Sequence, residues 1–466
     1  MLFMKNRSKK KYEMDMCNGP ILKKMLIFAI PLMLSSILQL LFNAADIIVV
    51  GRFAGDDSLA AVGSTTSLIN LITNLFIGLS VGVNVLVARY FGSKSVQDVK
   101  ETVHTAMKVS IISGIFLTII GVVLAPYFLS LMNTPKEVLE LASVYLRIYF
   151  LGITATMVYN FGSAILRAVG DTKRPLTFLF IAGAVNLVLN LLFVIVFGLG
   201  VAGVAIATVI SQVVSAFLIV RCLIREEGII KLDIKEMKIY KKKFLKILQL
   251  GLPAGIQGSL FSLSNVFIQS SINSFGETII AGNSAASNIE GFVYVSMNAF
   301  YQAAISFVSQ NVGAAKYERI NRIVYTALFC VCSVGVIMGA AGVLFGRQLL
   351  SLYTESDAVV EAGFQRLTYI MLSYALCGLM DVMVGALRGV GYSIMPMIVS
   401  LIGACGLRIL WLSTVFMLEE YHRIEMVYIT YPISWTITLT AHIICFVIIR
   451  CRLGRKWKQQ SGYMVV

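Results

Sequence analysis

About twelve apolar stretches, each long enough to cross a lipid bilayer, run through this chain and leave few folds open to it. They lie at approximately 25–50, 59–90, 103–129, 139–166, 176–199, 201–222, 244–274, 278–310, 323–345, 361–387, 394–417 and 427–449. With 58% hydrophobic and only 14% charged residues, the chain carries more apolar surface than a soluble fold of 466 residues could bury. The runs are too long and continuous for barrel strands of about ten residues, and a spanning helix satisfies its own backbone. The expected class is an all-α integral membrane protein with twelve transmembrane helices.

The twelve fall into two sixes, because the chain repeats itself. Leu166-Arg167-Ala168-Val169-Gly170, followed by Pro175, returns as Leu387-Arg388-Gly389-Val390-Gly391, followed by Pro396, at a shift of 221 (387 − 166). The same shift carries Gly92 onto Gly313 and Leu131 of Leu131-Met132-Asn133-Thr134 onto Leu352, and a shift of 222 carries Pro31 onto Pro253. Tandem membrane halves are the usual build of a secondary transporter. Two pseudo-symmetric six-helix lobes are therefore expected: a tail at 1–24, an N-lobe at 25–222, a charged linker at 223–243, a C-lobe at 244–449 and a tail at 450–466. Glycine pairs at helix-packing spacing, Gly78 with Gly82 and Gly335 with Gly339, are read as close helix contacts.

The net charge of +15 reads as membrane orientation, not as nucleic-acid binding, because the bases fall in alternate loops. Lys5 to Lys11, Arg89 and Lys94, Lys173 and Arg174, Lys231 to Lys246, Lys316 to Arg322, and Arg450 to Lys458 share one side. Asp56, Asp57, Glu137, Glu140, Glu277, Glu355, Asp357, Glu419 and Glu420 share the other. The positive-inside rule then puts both termini in the cytoplasm of a multi-pass protein of the plasma (inner) membrane, where membrane lipids are its partners. The first twenty residues have no apolar core, so the first helix is expected to act as its own insertion signal. A surface helix is the expectation for the linker, with anionic lipid headgroups as a further partner for its basic residues. The eight cysteines show no metal-type pairing and read as small apolar packing residues.

Charges at membrane depth are costly and point to function. Asp46, Glu290, Asp381 and Arg408 stand out. Asp46 closes a stripe with Gln39 and Asn43, at steps of four and three, on one face of the first helix. It lies about fifteen residues, roughly 22 Å, beyond Pro31; the alternative is an acid at a helix end pairing with Arg52. The fifth helix offers Asn186 and Asn190 one turn apart, and the sixth offers Thr208. A carboxylate, two amide oxygens and a hydroxyl are the hard donors that suit a small cation or a proton site, although the same asparagines could simply bond helix to helix. In the second half Asn265, Gln269 and Asn273 stripe the seventh helix, and Asp381 falls at the repeat position of Asn160 (160 + 221). Arg408 is the expected partner of Asp381, in a functional or a structural pair. Glu290, beside Asn288 and Asn298, has no evident partner in the sequence.

These residues resemble the multidrug and toxic compound extrusion family, closest to its bacterial branches. The resemblance covers nearly the whole chain. It rests on the two six-helix halves, the early proline followed by Asp46-Ile47-Ile48-Val49-Val50-Gly51-Arg52, the Leu-Arg-x-x-Gly turns after the fourth and tenth helices, and Gly203-Val204-Ala205-Ile206-Ala207-Thr208 at the entry to the sixth. It implies antiport: a lipophilic, often cationic compound leaves the cytoplasm through a cavity between the lobes while Na+ or H+ enters. It also implies ion-coupling roles for Asp46, Asn186, Asn190 and Thr208, and a hinge at Pro31. Gln39, Asn43, Asn160, Asn265, Gln269, Glu290, Asp381 and Arg408 become candidate cavity-lining residues. The chain departs from the family pattern at Asn190, where an Asp is common, and in the second half, where Phe261 and Cys377 stand at positions that carry acids in some members.

The expected function is thus a non-enzymatic secondary antiporter for small molecules, working as a monomer by alternating access of its lobes, with no cofactor beyond the coupling ion. A flippase for a lipid-linked precursor is the alternative. It would be expected to carry several cavity arginines for pyrophosphate, and Arg408 is the one clear candidate. The three histidines, His104, His422 and His442, show no metal spacing, and neither a nucleophile–base pair nor a selectivity-filter repeat occurs, which disfavours an enzyme or a channel.

Overall fold

Three pairs of backbone positions with left-handed φ show the duplication directly. Gly55 (φ 86°) pairs with Gly276 (89°), Lys94 (57°) with Ala315 (54°), and Gly170 (91°) with Gly391 (109°), each pair 221 residues apart (276 − 55, 315 − 94, 391 − 170). L side chains seldom adopt this conformation, so its recurrence at one offset marks the same inter-helix turn built twice. The computed structural model describes residues 12–132 and 136–462. The basic segment Lys5–Lys11 and Asn133 and Thr134 of the repeat lie outside the described residues, as do the side chains of Asp56, Glu137 and residues 453–458.

The described residues are helical throughout, without strands. In the first half α1 (Ile21–Phe53), α2 (Asp56–Gly92) and α3 (Val96–Leu131) are followed by α4 (Lys136–Leu151) and α5 (Ile153–Ala168), then α6 (Lys173–Leu191) and α7 (Gly200–Arg225). The second half follows suit: α8 (Lys241–Asn273), α9 (Glu277–Gly313), α10 (Tyr317–Leu344), the short α11 (Gly346–Ser351), α12 (Asp357–Met371) and α13 (Tyr374–Val390). It ends with α14 (Ile394–Ser400), α15 (Leu407–Ser413), α16 (Ile424–Tyr428) and α17 (Thr430–Gly462). Helices α1 and α8 have 33 residues each, and α2 and α9 have 37 each. The fourth and tenth spans are bent pairs, α4–α5 by 45° and α12–α13 by 46°.

Eight spans are long and apolar enough to cross a bilayer as single units, and the two bent pairs make ten. The more polar α8 and α9, long enough to cross as well, complete twelve (8 + 2 + 2). Their Lys, Glu, Asn and Gln content is what lowers their hydropathy, and it is also what makes them interesting. Large apolar side chains such as Val123, Val196, Phe329 and Leu344 are exposed on the outer helices, as a lipid-facing surface requires.

By its internal contacts the chain divides into a first unit ending at Gly255 and a second beginning at Ile256, a seam inside α8. The first half of α8 packs on α2 through glycines. A Cβ on Gly78 would stand 2.1 Å from the amide nitrogen of Gly255, and one on Gly82 would stand 2.5 Å from the Ile247 carbonyl oxygen. Backbones that close admit only hydrogen at Cα. In the second unit Gly335 and Gly339 of α10 play the same part against Ala375 and Met371.

The linker departs from the expected surface helix. Between α7 and α8 only Ile234–Glu236 forms a turn of 3-10 helix, and the chain is instead strapped along the start of α3. His104 Nδ1 lies 2.7 Å from the Lys100 carbonyl oxygen, and Nε2 accepts the Asp233 backbone N–H at 3.1 Å. Thr105 Oγ1 accepts from the Tyr240 N–H at 3.1 Å, and Lys243 pairs with Asp98. Ile230 and Leu232 are buried beneath. Because the linker's backbone bonds go to α3 side chains, it has no need to form a helix. His104→Leu leaves the Asp233 N–H without its acceptor, at a cost of about 1–3 kcal/mol. Limited trypsin digestion of the purified protein should then cut at Lys231, Lys235 or Lys238 roughly tenfold faster than in wild type, since ~1.4 kcal/mol is one decade in the opening equilibrium. An unchanged cleavage rate would show that the strap holds without His104.

Candidate functional site

In the first unit the four residues expected to couple the ion stand in one hydrogen-bonded chain across three helices. Asn190 Nδ2 on α6 donates to Asp46 Oδ1 on α1 and lies 3.3 Å from Asn186 Oδ1 one turn back. Asn186 Nδ2 donates to Thr208 Oγ1 on α7 at 3.4 Å, and that hydroxyl donates to the Val204 carbonyl at 3.0 Å. Spacing explains the α6 contribution, since residues four apart share a helix face. The close approach of α1 is set by Gly183, where a Cβ would fall 1.8 Å from a Phe42 ring carbon. Phe42 lies one turn before Asp46, and Gly183 lies one and two turns before the asparagines, so this contact brings carboxylate and amides together.

Asn190 is 0% exposed, yet its Oδ1 has no hydrogen-bond partner. A buried amide oxygen without a partner, beside a carboxylate, is an exception to the rule that buried polar atoms are hydrogen-bonded. Directly after Asn190 the helix widens into a π-helical turn, Leu192–Val196, a geometry that concentrates at functional sites. Val49, Val50, Tyr145, Val194, Val201 and Val204 form a buried apolar cluster around this region. Tyr145 on α4, a residue the helix patterns did not single out, belongs to this cluster.

The remaining candidates of the first unit stand apart from this chain. Gln39 and Asn43 are exposed on α1. Asn160 on α5 donates to the Thr156 carbonyl of its own helix at 2.9 Å. Pro31 is buried inside α1, which runs on through it, and its carbonyl accepts the Ser35 hydroxyl at 2.8 Å. Among the described residues no ion pair joins Asp46 to Arg52.

The second unit corrects two expectations. Glu290 has a partner after all: Arg366 on α12 grips it in a bidentate pair, Nε to Oε1 and Nη2 to Oε2, both at 2.8 Å. Arg366 Nη1 reaches Asn283 Oδ1 at 2.5 Å, and Asn283 in turn donates to Gln269 at 3.2 Å. Arg366 lay inside the tenth apolar run and could have been found by asking which arginines fall within a predicted span. Asp381 and Arg408 are not an ion pair. Asp381 is half-buried on α13, while Arg408 Nε donates to Ser434 Oγ at 2.8 Å and its guanidinium lies 4.2 Å from the Tyr431 ring centroid. Arg408 follows the π-helical Leu401–Gly406, and its hydrogen bond goes to α17. Asn265 and Asn273 are exposed on α8.

Known proteins match this arrangement along its length. The MatE family model fits residues 31–192 and again 253–412, opening on Pro31 and on Pro253. A probable multidrug resistance protein of Bacillus subtilis, YoeA, is 26% identical over 426 residues, 90% of this chain and 91% of its own. A second from the same organism, YpnP, is 28% identical over 394 residues, 84% of this chain and 88% of its own. Among solved structures, the outward-facing conformation of a multidrug resistance MATE family transporter superposes with a TM-score of 0.89 at 23% identity, covering 94% of this chain and 98% of that one. With both halves matched by one family model and the same twelve-span fold beneath them, this chain belongs to the MatE family, the multidrug and toxic compound extrusion transporters.

Proposed function

We propose that the protein is a secondary antiporter that exports lipophilic, cationic small molecules in exchange for Na+ or H+, with Asp46 as the coupling residue. The observation that carries this reading is the Asp46–Asn190–Asn186–Thr208 chain, its two asparagines buried and its two ends half-buried, with one amide oxygen left open. Family membership supports the transport class; the ion and the substrate rest on the chemistry of the site.

Ionised, Asp46 holds the N–H of Asn190 and attracts a cation. A proton closes the charge on Asp46 itself. A sodium ion would draw on Asp46 and the free oxygen of Asn190, with Asn186 and Thr208 supplying further oxygen once their mutual bonds turn. Either way the negative charge is cancelled, a cationic substrate loses its attraction, and α1 is free to repack. Pro31, which removes one backbone hydrogen bond from α1, is the natural place for that repacking. Drug and ion thus compete for one carboxylate, so each is released when the other binds. The membrane is taken as the plasma membrane, with both termini cytoplasmic, on the alternation of basic loops.

The test is ethidium movement in liposomes containing the purified protein, under a pH gradient and a Na+ gradient imposed separately. One gradient is expected to drive dye uphill and the other not, which names the ion. Dye movement that ignores both gradients would sink the antiport reading and leave the lipid-precursor flippase in its place.

A further inference from the structure

Arg408, the arginine among the four intramembrane charges Asp46, Glu290, Asp381 and Arg408, has neither an acid nor a backbone carbonyl hydrogen-bonded to its guanidinium. It is 5% exposed, and its Nη2 is buried with no hydrogen-bond partner. Its single hydrogen bond goes to a neutral hydroxyl, Ser434. The rest of its surroundings is aromatic, with Tyr431 4.2 Å and Trp435 5.5 Å from the guanidinium carbon. Cation–π contacts recover only a small part of what a guanidinium loses on leaving water. The comparison within the same unit is direct. Arg366 faces the same Tyr431 ring at 5.6 Å, yet all three of its nitrogens are taken by Glu290 and Asn283. One arginine is saturated and the other is open.

We propose that Arg408 is a binding site for an anionic group, a carboxylate or a phosphate, carried on an aromatic or apolar body that lies against Tyr431. The guanidinium presents in-plane N–H groups that match either anion bidentately. The two rings stand at 66°, with centroids 5.5 Å apart, and since Trp435 is only 4% exposed it backs Tyr431, the ring that a ligand can reach. Tyr431 is half-buried, so the wall is reachable from outside the packed core. The π-helical turn Leu401–Gly406 immediately before Arg408 is a geometry that concentrates at functional sites. The inference rests on the transporter reading for its setting. It goes beyond that reading in assigning the second unit a site of opposite charge preference to Asp46, so that zwitterionic and anionic aromatic compounds, or an anionic lipid headgroup, join the ligands of this chain.

The experiment is equilibrium binding of radiolabelled 1-naphthoate and of its neutral isostere 1-naphthamide to the full chain in phosphatidylcholine nanodiscs. Arg408→Gln is expected to weaken naphthoate at least tenfold and to leave naphthamide within twofold, with Arg408→Lys in between. Tyr431→Leu should weaken both probes alike, and it keeps the site testable if Arg408→Gln does not fold. Phenyl phosphate competing with naphthoate supports the shared anion chemistry. Loss of naphthoate binding when phosphatidylglycerol replaces part of the phosphatidylcholine supports the site with a lipid headgroup as the source of the phosphate. Equal loss of both probes in Arg408→Gln, or no saturable naphthoate binding to wild type, overturns the proposal. Ethidium transport measured on the same preparation separates the two readings: naphthoate failure with gradient-driven ethidium movement intact sinks only this inference, and the reverse sinks only the antiporter.

Discussion

Asp46→Asn should collapse gradient-driven export while leaving the fold in place. Exchange of one monovalent dye cation for one H+ or Na+ moves no net charge, so a tenfold ion gradient, worth about 1.4 kcal/mol, sustains roughly a tenfold dye ratio. Without the carboxylate that ratio should fall towards one. The substitution isolates charge from shape: an amide oxygen at position 46 can still accept the Asn190 N–H that Asp46 accepts now. Asn186, Asn190 and Thr208 keep their mutual contacts. Thermal stability in detergent is therefore expected to change little, whereas the steady-state ethidium ratio in energised liposomes loses most of its value. Asp46→Glu, which keeps the charge on a longer arm, should retain part of it. A wild-type dye ratio in Asp46→Asn would mean that the acid is structural and that coupling resides elsewhere.

The membrane class, the twelve spans and the duplication were legible in the sequence because each rests on a local signal, such as apolar length or a recurrent turn motif. The polar cluster of the first unit was legible for a related reason. Asn186 and Asn190 share a helix face by spacing alone, and an acid at membrane depth announces itself. What spacing could not supply is which helices meet. Tyr145 joins the apolar cluster of Val49, Val50, Val194 and Val204 through the packing of α4, and Arg366 finds Glu290 across α9 and α12, residues 76 apart in the chain. Charge alone pairs Arg408 with Asp381, but its hydrogen bond goes to Ser434, a neutral partner that no charge pattern points to. The linker failed as a helix because its backbone bonds are taken by His104 and Thr105, partners no local pattern predicts.

Glu290→Gln should be among the most destabilising single substitutions in the second unit. The pair it breaks is closed on every side: both carboxylate oxygens receive a guanidinium N–H, and both side chains are only 6% exposed. Removing the acid's charge leaves Arg366 buried and unpaired, a loss of about 3–5 kcal/mol in systems of this kind. Asn283, whose amide oxygen takes the third guanidinium nitrogen, cannot replace a charge. Arg366→Ala should cost a similar amount for the mirror reason. Replacing both at once, as Glu290→Leu with Arg366→Met, removes the charges together and fills the volume with apolar atoms. The double variant is expected to return to within ~1 kcal/mol of wild type. Denaturant or thermal unfolding of the four proteins in one detergent closes this cycle. Ethidium transport by the double variant then decides what the pair is for. With every nitrogen and oxygen of the two head groups already hydrogen-bonded, the pair has little to offer a ligand, so transport should survive the double substitution. A stable double variant that has lost transport would instead make this closed pair part of the moving machinery, a latch that opens during the cycle.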